Sequence, residues 1–434
     1  MEINDLQLLP GAGSLNRIGS ILLVFALGAC AHPYPGAVSP NPWIRSAAVE
    51  ADNDIRSEPA VPTLLYVTDR SQADSAGYGT DRSSSMAFGS LEVGVTNMSP
   101  LAYSSYMSGT DHSAAAPQYE LGNIVETVRF PGTPMPFSLQ NGEMRRDRTT
   151  ILAYQAARRE FSRVLTGELA ERQTGKVVLF VHGFNNSFER GAFSLFELWA
   201  ASGWDGVPIM FSWPTGEPNA LSYFGDTQDG EFSVFHLKET LRLLAATEEV
   251  DEIVLIAHSR GAAIATTALR ELLIESRGAG LSMRDTYRIN TLILAAPDID
   301  LGVMEQRLVA EMFGLGFGQI DVYLNRDDDA LGVSGWLFGG VRLGSLGPEE
   351  LSSESRAVFQ GVDSVHFILV DDAHGEARHN HFRLHPGVLA DIAITMRTGA
   401  EPGDFERPLE HLDLNFWRID QSYTPRFLGD DSSD

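Results

Sequence analysis

Six short apolar runs follow Gly175, and they restrict what this chain can fold into more than any other feature: "KVVLFVHG", "VPIMFSW", "DEIVLIAHS", "RINTLILAAPD", "GQIDVYLNRDD" and "SVHFILVDD". Each is the length of one strand and apolar at consecutive positions, so both of its faces need cover. Amphipathic helical segments accompany them: "SFERGAFSLFELWAASG", "VFHLKETLRLLAATEE", "RGAAIATTALRELLIES" and "GVLADIAITMRTG". Such alternation predicts an α/β fold over residues 175–400, a mostly parallel sheet with helices on both faces.

Upstream, residues 61–174 read as an N-terminal β-rich extension. "TLLYVTDR", "FGSLEVGVTNM" and "NIVETVRF" look like strands among Gly/Ser/Pro-rich loops, followed by the amphipathic helix "TTILAYQAARREFSRVLTGEL". Residues 31–60 read as a linker, and 401–434 as a C-terminal extension ending in the acidic tail "LGDDSSD". Residues 1–30 carry an apolar run (21–29) after Arg17, the length of a signal-peptide core and too short to span a bilayer. The run ends in Leu27-Gly28-Ala29-Cys30, which resembles a bacterial lipobox with Cys30 as the lipidated residue. That resemblance implies an extracytoplasmic lipoprotein anchored to the membrane. A formal charge of −26 argues against nucleic acid as a partner, which would require basic patches. Nothing in the sequence sets an oligomeric state.

In "IVLIAHSRGAAIATTAL", Ser259 stands between a strand and a helix, with Ala257 and Gly261 two positions away on either side. Small residues at those positions suit a nucleophile elbow, a turn too tight for larger side chains. The competing role is that of a plain N-cap, common for serine. As a nucleophile, serine needs a base, an orienting carboxylate and an oxyanion hole. His182-Gly183, at the end of the first core strand, resembles the oxyanion loop of α/β-hydrolases. The donors there would be the Phe184 and Arg260 backbone N–H groups. His182 itself reads as a hydrogen-bonding residue that shapes the loop. Two later loops offer the acid: "AAPDID" with Asp298 and Asp300, and "YLNRDDDAL" with Asp327, Asp328 and Asp329. The second loop follows the second strand after the elbow, the usual acid position in such folds.

The base must come from "DDAHGEARHNHFRLH", which holds His374, His379, His381 and His385. A metal site is the rival reading. Only His381 and His385 have helical i, i+4 spacing, Pro386 makes His385 a cap, and no cysteine lies nearby. His366 lies within a strand and reads as packed. His374 and His379 both remain on the loop.

These blocks, with "FSWPTGEPNALSYFGDT" and "RHNHF", occur in an order that resembles an uncharacterised, mostly bacterial family of α/β-hydrolases with HGFN, SWP, HSxG and APDID motifs. The resemblance covers about 175–395, and "LLYVTDR" resembles the family's N-terminal strand. It implies an α/β-hydrolase fold and a serine hydrolase. Its Asp-x-Ala-Leu block places the acid at Asp328, and its final histidine falls on His379, with His374 in reserve and His381 lining the cleft. Arg260 stands where the family commonly has Met; a guanidinium there would either favour anionic substrates or pair with one of the local acids, and pairing is the expectation.

The expectation is a serine hydrolase cleaving carboxylic esters of a small-molecule or lipid-like acyl substrate through Ser259, Asp328 and His379, with no metal or organic cofactor. The same residues would serve an amidase or thioesterase. A catalytically inactive hydrolase fold acting as an envelope binding module is the alternative from another class.

Overall fold

The apolar runs form the parallel centre of one eleven-stranded sheet. The strands are β1 (Thr63–Gln72), β2 (Tyr78–Val95), β3 (Tyr119–Arg129), β4 (Phe137–Gln140), β5 (Glu143–Arg146), β6 (Lys176–Val181), β7 (Val207–Ser212), β8 (Glu252–His258), β9 (Ile289–Ala295), β10 (Gln319–Leu324), β11 (Val365–Val370), β12 (Glu410–Asp413) and β13 (Phe416–Ile419). This computed structural model describes residues 34–41, 63–73, 77–111, 114–215, 222–338 and 340–426. Cys30, the expected signal peptide and most of the expected linker lie outside the described residues.

Sheet order is β12-β13-β11-β10-β9-β8-β6-β7-β1-β2-β3, with β4 and β5 forming a separate hairpin. The strands from β13 to β1 in that order are mutually parallel. Antiparallel β12 closes one edge, and antiparallel β2 and β3 close the other. Alternation along β6 shows why both faces are covered. Val177, Leu179 and Val181 join a core shared with helices Arg148–Glu171, Ser222–Ala245 and Arg260–Gly278. Val178 and Phe180 point the other way, into a core shared with helices Phe188–Ala201 and Pro386–Thr398. The chain leaves β6 for β7 on one side and returns to β8 on the other. That reversal opens a crevice at the carboxyl ends of β6 and β8, where ligands bind in open α/β sheets.

The boundaries expected at 174 and 400 are not breaks in this sheet. β1 pairs with β7 (Leu65 opposite Ile209), and β13 pairs with β11 (Phe416 opposite Phe367). Most of β1 is buried, as the core strands are, so the extension continues the sheet rather than forming a unit of its own.

The expected linker over 31–60 is also corrected where it is described, because residues 34–41 are docked. Glu197 and Arg383 form a buried ion pair at 2.8 Å. The segment supplies the pair's remaining hydrogen bonds: Ala37 N–H donates to Glu197 at 2.6 Å, the Tyr34 hydroxyl donates to it at 2.9 Å, and Arg383 donates to the Pro35 carbonyl. A buried ion pair is tolerable only when its other polar valences are met, and this segment meets them.

A second buried polar cluster pins the C-terminal extension. Arg407, fully buried, binds Asp391 through Nε (2.9 Å) and Nη2 (2.7 Å), and Asp321 through Nη1 (2.7 Å). Tyr323 and Tyr423 donate to Asp391, and His366, within β11 as expected, bonds Asp321 at 2.9 Å. Burial alone would raise the Asp321 carboxyl, but the Arg407 charge and the His366 hydrogen bond outweigh it and hold it below its ordinary value.

Arg407→Met should therefore destabilise the fold by about 3–5 kcal/mol, because two buried carboxylates lose their counter-charge. Urea unfolding at pH 7 measures this, and an unchanged midpoint would contradict it. A depressed folded-state pKa contributes stability above the unfolded value near 3.8 that is lost as pH falls through the folded value. The penalty of the substitution should accordingly shrink in strong acid.

Candidate active site

At the carboxyl end of β8 the backbone turns sharply into helix Arg260–Gly278, and Ser259 at the turn has φ 51° and ψ −120°. A side chain rarely occupies that region without surrounding structure to hold it there. Here the Ser259 N–H donates to Ala295 O at 2.9 Å, and the Asp298 N–H donates to Ser259 O at 3.2 Å. Gly261 is obligatory, since a Cβ there would lie 2.3 Å from the His182 carbonyl oxygen. Gly183 is equally constrained: its Cβ would meet His258 Nδ1 at 2.7 Å and Ser259 Cβ at 3.0 Å. The turn after β6 thus packs directly against the turn after β8. Ser259 makes no side-chain capping bond to its helix.

Its hydroxyl instead meets His379, whose Nε2 lies 3.0 Å from Ser259 Oγ, while Nδ1 lies 2.7 Å from Asp328 Oδ2. A carboxylate only accepts, so Nδ1 carries the proton and bare Nε2 faces the serine. Asp328 is buried, whereas Asp327 and Asp329 are exposed. Its second oxygen accepts from the Ala330 and Leu331 N–H groups at 3.0 and 3.1 Å, so one carboxylate both caps helix Asp329–Phe338 and holds the histidine. An open groove of about 540 Å³ lies beside this loop, lined by Asp328, Val333, Arg326 and Arg378 among others.

The remaining histidines separate by environment. His374 is exposed at the start of a 3-10 turn. His385 caps helix Pro386–Thr398, accepting from the Val388 N–H at 3.3 Å. His381, expected to line the cleft, is fully buried instead, with no hydrogen-bond partner at either nitrogen among the described residues, and burial lowers its pKa to about 3. It opens helix His381–Leu384, which turns the ring inward toward Tyr323. Among the described residues, no group of three or more His, Cys, Asp or Glu side chains is arranged to hold a metal ion.

Two further expectations meet different outcomes. Asp298 is buried, accepts from Ser334 Oγ at 2.8 Å and lies 3.6 Å from Arg342. Arg260 was expected to pair with an acid, yet no ion pair or side-chain hydrogen bond joins it to an acid among the described residues; it is half-buried at the helix start. Its backbone N–H, in the first turn, has no intrahelical acceptor. Phe184 follows Gly183 in the turn packed on Ser259.

Three contributors were given no role of their own from sequence. His258 Nε2 contacts the His379 carbonyl at 3.1 Å and must donate to it. Burial and the neighbouring His379 push its pKa well below the ordinary value, so it is neutral. Arg70 and Ser212 lie behind the β6 turn. Their signals were present in the HSxG, VTDR and SWP blocks, but no local rule assigns these side chains a target.

Residues 157–397 match the model of a family described as alpha/beta hydrolase of unknown function (DUF900). None of the curated proteins matches the chain. Among solved structures, an esterase from Pyrococcus furiosus aligns at 14% identity over 48% of this chain and 79% of that one, with a TM-score of 0.28. An esterase from Pyrobaculum calidifontis aligns at 12% over 56% and 93%, with a TM-score of 0.29. A lipase-esterase related protein from Clostridium acetobutylicum aligns at 13% over 46% and 76%, with a TM-score of 0.20.

The buried histidines generate a prediction about acid stability. A histidine whose folded pKa lies near 3 binds its proton in the unfolded chain first, so stability falls as pH drops from about 6.5 toward 3. His381→Leu removes one such group together with two unpartnered nitrogens. Melting temperatures between pH 7 and pH 4 should fall less steeply in this variant than in the wild type. Parallel curves would show that His381 is solvated or paired in solution.

Proposed function

The chain belongs to this alpha/beta-hydrolase family, and from that premise we propose that it is a serine hydrolase that cleaves carboxylic esters through an acyl-enzyme. The observation that carries the reading is His379, bonded to Ser259 through one nitrogen and to Asp328 through the other. Ser259 Oγ attacks the acyl carbonyl while His379 Nε2 takes its proton. Asp328 keeps the other nitrogen protonated and stabilises the imidazolium. The Phe184 and Arg260 N–H groups receive the negative charge on the carbonyl oxygen. His379 then returns the proton to the departing alcohol, and water repeats the sequence to release the acid. The same steps serve amides and thioesters. Esters are favoured because an alcohol leaves more readily than an amine.

The substrate is a small-molecule or lipid-like acyl compound, and Cys30 is the site of an N-terminal lipid anchor on the extracytoplasmic side of a bacterial membrane. Among the described residues no helix is long and apolar enough to cross a membrane. Three residues separate Cys30 from Tyr34, where the docked segment begins. Four extended steps span at most about 14 Å. An anchor at Cys30 therefore holds the hydrolase close to the lipid surface, not on a long leash.

Ser259→Ala should lower ester turnover by about 10⁴-fold or more, and Asp328→Asn should be comparably severe because a neutral amide accepts the wrong tautomer. Thermal melting of both variants should stay near the wild-type value. Retention of turnover in purified Ser259→Ala protein would overturn the serine mechanism. The anchor is checked separately: Cys30→Ala should abolish incorporation of labelled fatty acid and release the protein from the membrane pellet. Continued labelling would move the modification elsewhere.

A further inference from the structure

We infer that Arg70, Ser212 and His182 form a hydrogen-bond relay that orients the Gly183–Phe184 peptide, making the three side chains positioning residues for the oxyanion site. The inference rests on the serine-hydrolase reading above. It assigns a task to the first strand of the N-terminal extension, which that reading leaves without one.

The polarity of the relay follows from its chemistry. Arg70, at the end of β1, is 1% exposed and can only donate. Its Nε donates to Ser212 Oγ at 2.9 Å, which leaves the Ser212 hydrogen free to point elsewhere. The neighbour in reach is His182 Nε2, at 3.1 Å. Arg70 Nη2 approaches the same nitrogen at 3.4 Å and donates to the Asn186 carbonyl at 2.7 Å. With donors converging on Nε2, that nitrogen must be bare and Nδ1 must carry the proton. His182 Nδ1 lies 3.0 Å from the Gly183 carbonyl oxygen, which accepts and cannot donate. Each bond therefore runs in one direction, from Arg70 through Ser212 and His182 to Gly183.

A second charge on the ring would reverse this order, and the surroundings forbid it. Burial and the adjacent Arg70 charge lower the His182 pKa to about 3, so the ring is neutral at physiological pH. The ring is also held in place: it stacks on Trp213 at 5.5 Å with an interplanar angle of 13°, and the Trp213 indole donates to the His182 carbonyl at 2.7 Å.

The consequence lies across one peptide bond. Gly183 C=O and Phe184 N–H belong to the same planar trans unit and point in opposite directions. Fixing the carbonyl on His182, with Asn186 Nδ2 as a second donor at 3.3 Å, fixes where the Phe184 N–H points. Glycine is flexible enough to let this peptide flip, and a flip would withdraw the donor. The position of Gly183 against Ser259 places the unit beside the nucleophile.

Ser212→Ala is the test, because it removes one hydroxyl and leaves the Arg70 charge and the His182 ring in place. The measurements are kcat/KM on an ester, the affinity for a trifluoromethyl ketone (whose serine hemiketal carries an oxyanion), and the tautomer of His182 from ¹⁵N-histidine NMR. Losing one oxyanion donor costs 10²–10³-fold, so partial disorder of this one should lower both kcat/KM and ketone affinity about tenfold or more. KM should change less than kcat. The wild type should show His182 protonated at Nδ1, and the variant a mixture with Nε2. Arg70→Lys, which retains charge but not the fork, should shift the same readouts in the same direction. A Ser212→Ala protein that loses thermal stability while keeping ketone affinity and the Nδ1 tautomer would reduce the relay to a structural contact. Wild-type protein that turns over no ester and forms no hemiketal would instead bring down the serine-hydrolase reading beneath it.

Discussion

The close approach of two turns, one after β6 and one after β8, is the constraint on which the rest of the structure depends. Gly261 sits so near the His182 carbonyl, and Gly183 so near Ser259, that neither position has room for a methyl group. The contact exists because the chain reverses its direction of travel across the sheet between these strands. It holds Ser259 in a conformation that an isolated chain would avoid, and it brings the Gly183–Phe184 turn against that serine. Asp328 and His379 arrive from the ends of β10 and β11 on the same side of the sheet.

Around this centre, buried polar groups act as fasteners. Glu197 and Arg383 hold the described N-terminal segment, Arg407 with Asp321 and Asp391 holds the C-terminal extension, and Arg70 ties β1 to the β6 turn. Buried ion pairs contribute little net stability, but a segment that completes their hydrogen bonds is strongly specified in position. Two of these fasteners secure parts of the chain outside the central alternation of strands and helices, and the third supports the site itself.

The core strands were legible because a strand buried on both faces must be apolar throughout, and each of the six runs became one. Ser259 was legible because small residues at fixed offsets answer a local steric demand. Pairings between distant segments were not. Strands β12 and β13 are only four residues each, and β12 is exposed along its length. Helix Ser222–Ala245 begins well before Val234, the start of the apolar stretch from which it was read. His381 shows the limit most plainly. Its neighbours in sequence suggested a cleft, but it is fully buried and its ring faces Tyr323 on β10, a residue far away in the chain.

The proposed nucleophile is Ser259, activated by His379. Incubation with a fluorophosphonate, followed by peptide mass spectrometry, reads this without knowledge of the natural substrate. One stoichiometric adduct is expected, on Ser259, formed orders of magnitude more slowly in His379→Ala protein. An adduct on another residue, or equal labelling rates with and without His379, would contradict it.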